Sequence, residues 1–356
     1  YFRSERLTGC KILHFLVQFY YNKIFDRGCI MAKVTRAMVA QQADVSECMV
    51  SYYLNKSRYV SPKLSARIQK AIDDLNYHPD VAALSMRNKK SKSFIFVAND
   101  LANPMYGELA KCFEQSALKK GYVSYICTGT LELSHYVNMA ISRHVDGLYF
   151  ASLPKKVTKE DIEKLREEGI GVASGDYLLK GYDQINRIEI DAEGAIRQAM
   201  DYLVSKGHRK IAYLSGFSSE YDCDFRMDSF RRYITANLKE EECPIYFLEE
   251  GSENVSIDQG YRLSERLWED GTPEQTAFLC GCDYLAFGVL NYCADHGIAV
   301  PGRISVVGIE NTFGCEIVRP KLTSVGFDRQ QFAEEIIGIL LANNQDHKIR
   351  RKLIET

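Results

Sequence analysis

Short apolar runs and longer amphipathic segments alternate along most of the chain from Ser93 onward. The runs FIFVA, VSYIC and GLYF each precede a segment with helical spacing of its apolar residues, at residues 108–120, 135–143 and 159–168. The later half repeats this order, with KIAYLSG, PIYFLE, AFLCG and ISVVGI among helical segments near residues 192–206, 226–237, 256–269 and 283–296. This βα repetition predicts an α/β body of two lobes, each with a doubly wound parallel sheet.

Glycines support the phasing of these elements. Four helical segments end on a glycine that closely precedes a strand, namely Gly121, Gly169, Gly207 and Gly297. Glycine ends helices because it enters the left-handed conformation without a steric penalty. We therefore expect each of these residues to stop a helix.

Two short amphipathic helices joined by a tight turn are predicted nearer the amino terminus, within residues 35–55. Thr35 can cap the first helix. Its apolar stripe consists of Val39, Ala40 and Ala43. Asp44 stands at the turn, where a left-handed backbone is usual and Asp is tolerated better than most residues.

The second helix carries an exposed polar face. Ser46 can cap it. Its inward stripe consists of Val50, Tyr53 and Leu54. Helical spacing puts Glu47, Cys48, Ser51 and Tyr52 together on the opposite face. Because the second helix of a helix-turn-helix enters the major groove, these four are candidate base readers.

A third helix completes this region. Ser61 and Pro62 suit its cap and first position, and Asn76 suits its end. Its apolar residues are Leu64, Ile68, Ile72 and Leu75. The pattern favours an N-terminal three-helix helix-turn-helix domain that binds DNA, with a structural helical hairpin in an unrelated protein as the alternative.

At these residues the chain resembles the lactose/galactose repressor family of bacterial transcription regulators, through VSECMVSYYLN at 45–55 and YVSPKLSARIQKAIDDLNYHPD at 59–80. The resemblance covers nearly everything after Met31. It implies a homodimer or dimer of dimers on double-stranded operator DNA, and a two-lobed periplasmic-binding-protein-like body that binds a small-molecule effector. The DNA-binding candidates are then Thr35, Ser46, Glu47, Cys48, Ser51, Tyr52, Asn55 and Met86.

The expected domain boundaries follow from these patterns. Residues 1–30 are expected to be a non-native upstream extension, because family members usually start near the position of Met31, and KILHFLVQFYY at 11–21 is too short to span a membrane and lacks a signal-peptide cleavage site. The family generally continues past the segment matching RRKLIET into a final strand, so the chain looks abbreviated at that end. The remaining parts are a helix-turn-helix domain at 31–79, a hinge helix and linker at 80–92, and a two-lobed body at 93–356. Lobe one is placed at about 93–188 plus 322–345, and lobe two at about 190–318.

The hinge segment departs from the family at two positions. Pro79 stops the third helix, and a short helix from Val81 to Met86 is predicted before a Lys-rich linker. In the family this helix folds on operator DNA and inserts a leucine wedge into the minor groove, and the matching residue here is Met86. Leu84 occupies a position where the family often has Arg, which removes one phosphate contact. A plain solvated linker helix is the alternative.

The second helix of the helix-turn-helix also differs from the family pattern, at Tyr52. The family often has Arg at the position of Tyr52 for reading guanine, and Tyr cannot make the bidentate contact. Glu47 can accept a hydrogen bond from cytosine N4, and Cys48 can offer an apolar contact. We expect the operator preference to shift accordingly.

Charge is unevenly distributed along the chain. Residues 31–90 carry ten Lys or Arg against five Asp or Glu, and residues 1–30 carry five against two. Since the whole chain has a formal net charge of −2, the remainder carries −10. A basic head on an acidic body favours phosphate contact at one end only. An ordinary solvated charge asymmetry is the alternative interpretation of the charge alone.

Length and cysteine usage argue against a single small domain and against a secreted disulfide-rich protein. The 356 residues exceed one ordinary domain, so two or three folding units are expected. Eleven irregularly spaced cysteines do not describe a short secreted disulfide scaffold, which favours a reducing cytoplasm. Cys280 and Cys282 lack a second ligand pair nearby, so we expect buried thiols and no metal.

Three charged residues are predicted to line an effector cleft. Ligands of open parallel sheets bind beyond the carboxyl ends of strands, and Asp283, Glu310 and Arg226 follow three such strands. Opposed charges suit a polyhydroxylated ligand, whose hydroxyls both donate and accept hydrogen bonds. A sugar is therefore the expected effector. The resemblance implies the same pocket residues, with two departures, since the family commonly has Asn at the position of Cys282 and Asp at that of Glu310.

Nearby loops add acidic and aromatic candidates. Glu220 and Asp222 argue against an anionic or purine-like effector and favour a neutral or cationic one, with surface carboxylates as the alternative reading of both. The aromatic candidates for stacking on a sugar ring are Tyr106, Phe217 and Tyr177. Core packing is the commoner fate of such residues.

Two other function classes fit the sequence less well. A periplasmic solute-binding protein would share the two-lobed body, but would need an export signal and no basic helical head. An enzyme would need a catalytic constellation, and the sequence contains no P-loop, G-x-S-x-G, dinucleotide glycine fingerprint or H-E-x-x-H. We therefore expect a cofactor-free repressor whose DNA and effector affinities are linked by one reciprocal factor, of a sign that the sequence leaves open.

Overall fold

A computed structural model describes residues 34–78, 91–129, 132–151, 158–175, 185–219, 224–250, 255–269, 271–346 and 349–356. The chain divides after Val81 into two compact units. Several predictions lie outside the described residues, namely those for residues 1–30, for the hinge helix with Leu84 and Met86, and for Tyr177, Glu220 and Asp222. Within the ranges given, none of the helices combines the length and hydrophobicity that a bilayer crossing requires.

The first unit consists of three helices, α1 (Arg36–Ala43), α2 (Glu47–Asn55) and α3 (Pro62–Asp74). The predicted caps are present, since Thr35 Oγ1 accepts from the Met38 amide at 3.3 Å and Ser46 Oγ from the Met49 amide at 3.4 Å. Ser61 Oγ accepts from the Leu64 amide at 3.5 Å. Each hydroxyl satisfies an amide that has no partner within its own helix.

Each of the three helices is followed, within two residues of its end, by a residue in the left-handed conformation. Asp44 has φ 50° and Asn76 has φ 47°, as predicted. Lys56 ends α2 with φ 47°, which the sequence did not predict because Lys has no special preference for this conformation. Arg67 secures the first turn by donating to the carbonyls of Ala43 and Asp44 and pairing with the Asp44 carboxylate at 2.9 Å.

The core of this unit is small and apolar. Its buried members are Val39, Ala40, Ala43, Val50, Ile68, Ala71 and Tyr77. The side chains of Tyr53, Leu54, Ile72 and Leu75 pack against them from partly buried positions. The inward stripes predicted for the helices are therefore confirmed, except for Leu64, which is half-buried and is not among the residues packed on this core.

The second unit begins with alternating strands and helices. In chain order these are β1 (Ser93–Val97), α4 (Pro104–Lys119), β2 (Val123–Cys127), α5 (Leu133–Ser142), β3 (Gly147–Phe150), α6 (Lys159–Glu167), β4 (Gly171–Ser174) and β5 (Asn186–Ile190). A second series follows, with α7 (Ala192–Ser205), β6 (Ile211–Ser218), α8 (Phe225–Asn237), β7 (Ile245–Leu248), α9 (Ile257–Glu269), β8 (Ala277–Cys280), α10 (Asp283–Asp295) and β9 (Ser305–Glu310). The chain ends with α11 (Gly314–Ile317), β10 (Thr323–Gly326), α12 (Arg329–Asp346) and β11 (Arg351–Ile354).

These strands form two parallel sheets, one for each lobe. The first has the order β11, β5, β4, β3, β1, β2, and the second has the order β10, β9, β8, β6, β7. Each sheet is covered by an apolar layer on both faces, which is the arrangement expected of parallel sheets. The four glycine stops are also confirmed, because Gly121, Gly169, Gly207 and Gly297 all have positive φ.

The structure differs from the sequence analysis in where the chain returns to the first lobe. Strand β10 pairs with β9, so residues 323–326 belong to the second sheet and not to lobe one, and the crossing back follows at α12. Residues 351–354, for which no strand was predicted, form β11 and pair with β5. Strand β5 also runs to Ile190, two residues past the boundary expected for lobe one. These assignments depend on which strand lies alongside, and periodicity carries no such information.

Candidate functional site

The recognition helix α2 presents the predicted polar face to solvent. Glu47, Cys48 and Asn55 are exposed, and Ser51 and Tyr52 are half-buried. Asn55 Nδ2 donates to Ser51 Oγ at 3.2 Å, one helical turn back. None of these five side chains belongs to the apolar core, so the face remains available to a ligand.

The end of this helix contains a contact that the sequence did not indicate. The guanidinium carbon of Arg58 lies 5.0 Å from the centre of the Tyr52 ring. Arg58 is exposed, and the neighbouring Tyr59 side chain is 84 % exposed. A cation and two aromatic rings therefore lie at the carboxyl end of the candidate reading face.

In the second unit, Arg226 and Glu310 come together at the carboxyl ends of strands. Arg226 lies in the first turn of α8, and its Nη1 donates to the carbonyl of Gly281 at 2.6 Å and lies 3.5 Å from Glu310 Oε1. Both side chains are at least nine-tenths buried. This places an ion pair where the sequence predicted the effector pocket.

Glu310 is strained and incompletely paired. Its φ is 111°, a region that L-residues rarely adopt, and its Oε2 is buried without a hydrogen-bond partner among the described residues. Burial raises the pKa of Glu310 to about 7, while the nearby guanidinium of Arg226 opposes the rise. Backbone strain and a perturbed carboxyl at one residue are typical of functional sites.

Asp283 begins α10 and is fully buried. Its Oδ2 accepts from the Thr312 amide at 2.7 Å, the Thr312 hydroxyl at 3.1 Å and the Cys315 thiol at 3.1 Å. Its Oδ1 accepts from Ser324 Oγ at 2.5 Å. Asp283 was predicted to line the effector pocket, but here its carboxylate ties α10 to β10 and to the loop after Glu310.

A cavity of about 330 Å³ lies beside Arg226, between the two lobes. Strands β5 and β11 of the first lobe and the first turns of α7 and α8 line it. Asp224 lies at its wall, where its carboxylate caps α8 and accepts from Ser215 Oγ at 2.9 Å. The cavity walls therefore carry both arginine and carboxylate groups.

The two aromatic candidates within the described residues are half-buried. Tyr106 packs against the core of the first lobe, and Phe217 donates its amide to Ser215 Oγ at 3.1 Å. Neither lines the cavity beside Arg226. Cys280 and Cys282 are buried thiols, as expected.

Sequence reasoning missed a group that connects the lobes at this site. Arg329 begins α12, and its guanidinium donates to the carbonyl of Glu310. Its Nε lies 3.1 Å from Oε2 of Glu108, which belongs to α4. The partners are more than 200 positions apart, and an isolated Glu within a helix gives no signal of such a contact.

The sequence is similar to that of known bacterial regulatory proteins. Residues 38–80 match the family described as "Bacterial regulatory proteins, lacI family", and residues 200–356 match "Periplasmic binding protein-like domain". Catabolite control protein A of Priestia megaterium is 30 % identical over 298 residues, which cover 82 % of this chain and 87 % of that protein.

Solved structures share the fold. The Lac repressor dimer bound to operator and the anti-inducer ONPF has a TM-score of 0.75 at 22 % identity, covering 90 % of this chain and 96 % of that one. A LacI family regulator CCPA from Weissella paramesenteroides, with bound glucose, has a TM-score of 0.63 at 24 % identity and covers 74 % of this chain and 94 % of its own.

Proposed function

This chain belongs to the lacI family of bacterial regulatory proteins, and we propose that a neutral, polyhydroxylated ligand held between its lobes controls its affinity for operator DNA. The protein is a DNA-binding transcription regulator of the repressor type and not an enzyme. The ligand class, the contact residues and the assembly state are the substance of the proposal.

The Arg226–Glu310 ion pair is the observation that supports a neutral, hydroxylated ligand. Arg226 already serves a carboxylate and a backbone carbonyl, so its charge is largely compensated before any ligand arrives. The unpartnered Oε2 of Glu310 needs a hydrogen-bond donor, because a buried acceptor without one costs about 1–3 kcal/mol. A sugar hydroxyl meets this need, whereas an anionic ligand would repel the carboxylate.

The remaining pocket residues have supporting roles in this proposal. Asp283 holds the loop that follows Glu310 and therefore acts on the ligand indirectly. Tyr106 and Phe217 remain candidates for stacking on a sugar ring, since part of each side chain is accessible. The bound glucose of the Weissella paramesenteroides relative supports a carbohydrate.

On the DNA side, we assign base reading to the exposed face of α2. Glu47, Cys48, Ser51, Tyr52 and Asn55 occupy that face. The cap residues Thr35 and Ser46 are exposed at helix amino termini, where a phosphate is favoured electrostatically. We propose that Met86 inserts into the minor groove of the operator. It lies in the proposed hinge at 80–92, which links the DNA-binding domain at 31–79 to the two-lobed body at 93–356.

A homodimer is the expected assembly, with a dimer of dimers as the larger form. Apolar side chains are exposed at the free edge strand β2 and the end of α4, namely Leu118, Val123, Tyr125 and Ile126. Phe313 and Ile317 are exposed around α11. Exposed apolar side chains grouped in this way are typical of protein interfaces. Two copies would present two reading domains to a pseudo-palindrome in the cytoplasm.

The test is a DNA-binding experiment with the full chain. Selection from a random duplex library, followed by titration at several salt concentrations, should yield a palindromic site whose affinity falls steeply with salt. Repeating the titration with glucose, cellobiose, ribose and glucose 6-phosphate should change the affinity for at least one neutral sugar. A protein that binds sugar but no duplex at low salt would instead be a solute-binding protein of the same fold.

A further inference from the structure

The loop after α2 is folded back onto the helix by its backbone hydrogen bonds. Lys56 takes the left-handed conformation, and the Ser57 amide donates to the Tyr52 carbonyl at 3.3 Å. The Lys56 amide donates to the Tyr53 carbonyl at 3.4 Å. This pair of bonds is the Schellman arrangement, which fixes the direction in which a chain leaves a helix. The next residue, Arg58, is consequently brought back beside the last turns of α2.

Within residues 34–78, the Arg58 guanidinium contacts the Tyr52 ring and pairs with no carboxylate. Its central carbon lies 5.0 Å from the centre of the Tyr52 ring, within the range of a cation–π contact. Within residues 34–78 it forms neither an ion pair nor a hydrogen bond with another side chain. No side chain in that range occupies its N–H donors, which suits them to a ligand outside the protein.

Tyr52 also ties Arg58 to the face that is proposed to read bases. Tyr52 lies one helical turn, or four positions, after Cys48 on the same side of α2, and next to Ser51 in the sequence. A tyrosine cannot itself make the bidentate contact to guanine that arginine makes. A guanidinium held beside this ring is restricted in position, so less conformational freedom is lost when it forms two hydrogen bonds.

We infer that Arg58, held on the ring of Tyr52, reads a guanine of the operator and takes the part that an arginine within the recognition helix would otherwise play. The inference rests on the proposed DNA-binding function. Tyr52 acts as a positioning residue, and Arg58 makes the contact to guanine O6 and N7. A phosphate contact by Arg58 alone is the competing role, and it would carry no sequence preference.

The experiment compares variants of the full chain on the site selected by the unaltered protein and on every single-base change of that site. Arg58→Gln should lower affinity for the selected site about tenfold or more and should abolish discrimination at one G·C pair per half-site. Arg58→Lys keeps the charge but not the planar fork, so it should lose the same discrimination while keeping most of the salt dependence. Lys159→Gln, an exposed lysine on α6 in the body, is the control for loss of one positive charge and should bind as before.

Two tyrosine variants test the positioning role. Tyr52→Leu should weaken discrimination at the same base pair as Arg58→Gln, whereas Tyr52→Phe, which keeps the ring, should retain more of it. The double variant Tyr52→Leu with Arg58→Gln should be no worse at that pair than Arg58→Gln alone, since the two residues act through one contact.

The outcomes distinguish guanine reading by Arg58 from the DNA-binding function of the whole protein. If the unaltered protein selects no site, the DNA-binding function itself fails. If it selects a site but Arg58→Lys or Arg58→Gln keeps every base preference, the inference is overturned and Arg58 contacts phosphate only. Equal losses in Tyr52→Phe and Tyr52→Leu would remove the role of the ring.

Discussion

The carboxylate of Glu108 joins the two lobes through Arg329. Glu108 Oε2 lies 3.1 Å from Arg329 Nε, and its Oε1 accepts from the amide of Phe313 at 2.8 Å. Arg329 in turn donates to the carbonyl of Glu310. The strained residue of the proposed pocket is therefore connected to α4 in the first lobe and to an exposed apolar residue at the proposed dimer surface.

Replacing Glu108 by Gln should destabilise the protein and change its response to ligand. The variant removes the carboxylate charge that is paired with Arg329, whose side chain is only 12 % exposed. We expect a loss of about 1–3 kcal/mol in the free energy of unfolding, measured by denaturant titration, and a smaller effect of sugar on operator affinity.

Glu334→Gln is the matched control for this prediction. The Lys119–Glu334 pair also connects α4 with α12, at 3.3 Å, but both side chains are more than half exposed. Exposed pairs contribute below about 1 kcal/mol. Equal costs for the two variants would show that the Glu108–Arg329 pair has no special role.

The crossing of α9 and α10 should not tolerate a methyl group at Gly288. A Cβ at this position would lie 2.6 Å from the Tyr261 amide nitrogen and would overlap the Ile257 carbonyl. Gly288→Ala should therefore force the helices apart and cost about 1–3 kcal/mol or more in unfolding free energy.

Gly338→Ala provides the comparison within the same protein. Gly338 lies in α12 with nothing within 4 Å of an added Cβ. Because alanine is the better helix former, this variant should gain up to about 1 kcal/mol. A destabilised Gly338→Ala together with a neutral Gly288→Ala would contradict the packing described for α9 and α10.

Stability should fall with rising pH because of Glu310. Burial raises the pKa of this carboxyl from 4.5 to about 7, so the folded protein holds the proton more tightly than the unfolded chain does. The contribution is complete below about pH 4.5 and is lost as pH rises to about 7, by about 1.4 kcal/mol for each pH unit between the two values. Unfolding free energies measured from pH 4.5 to 8 should show this slope.

Glu310→Gln isolates that slope from other titrations. The charged or titratable groups around Glu310 are Arg226 of α8, Cys282 and Asp283 at the start of α10, and Arg329 of α12. Burial also raises the pKa of Asp283, so this carboxyl acts in the same direction in both proteins. The difference between the two pH profiles should carry the Glu310 contribution, and parallel profiles would contradict the raised pKa.

Glu47 should lower the overall affinity for DNA and, at the same time, favour one base pair in the operator. Glu47 is exposed in the first turn of the recognition helix, where its charge is repelled by phosphates but its oxygens can accept from cytosine N4. Glu47→Gln should raise affinity for arbitrary duplexes at low salt and relax the preference at one base pair, as measured on the selected site and its single-base variants.

Asp74→Asn removes the same charge from the same unit at the end of α3. It should change affinity through electrostatics alone and leave every base preference intact. If both variants shift the same preference, Glu47 does not contact a base.

Local signals along the chain determined the reading domain and the body's repeat. The caps Thr35, Ser46 and Ser61 and the left-handed stops Asp44 and Asn76 depend on residues a few positions apart, so they were predictable. The same holds for the strands and glycine stops of the βα units. Charged residues after three strands predicted an effector pocket, because parallel strands bring their carboxyl ends to one edge, and of these three Arg226 lines the cavity between the lobes.

Tertiary structure alone decided which of those residues meet. The sequence could not place β10 in the second sheet or β11 in the first, because pairing depends on which strand lies alongside and not on periodicity. It could not show that the Asp283 carboxylate accepts hydrogen bonds from Thr312, Cys315 and Ser324. Nor could it show that one carboxyl oxygen of Glu310 has no hydrogen-bond partner among the described residues. Hydrogen bonds and ion pairs are satisfied in three dimensions, between groups whose separation along the chain carries no signal.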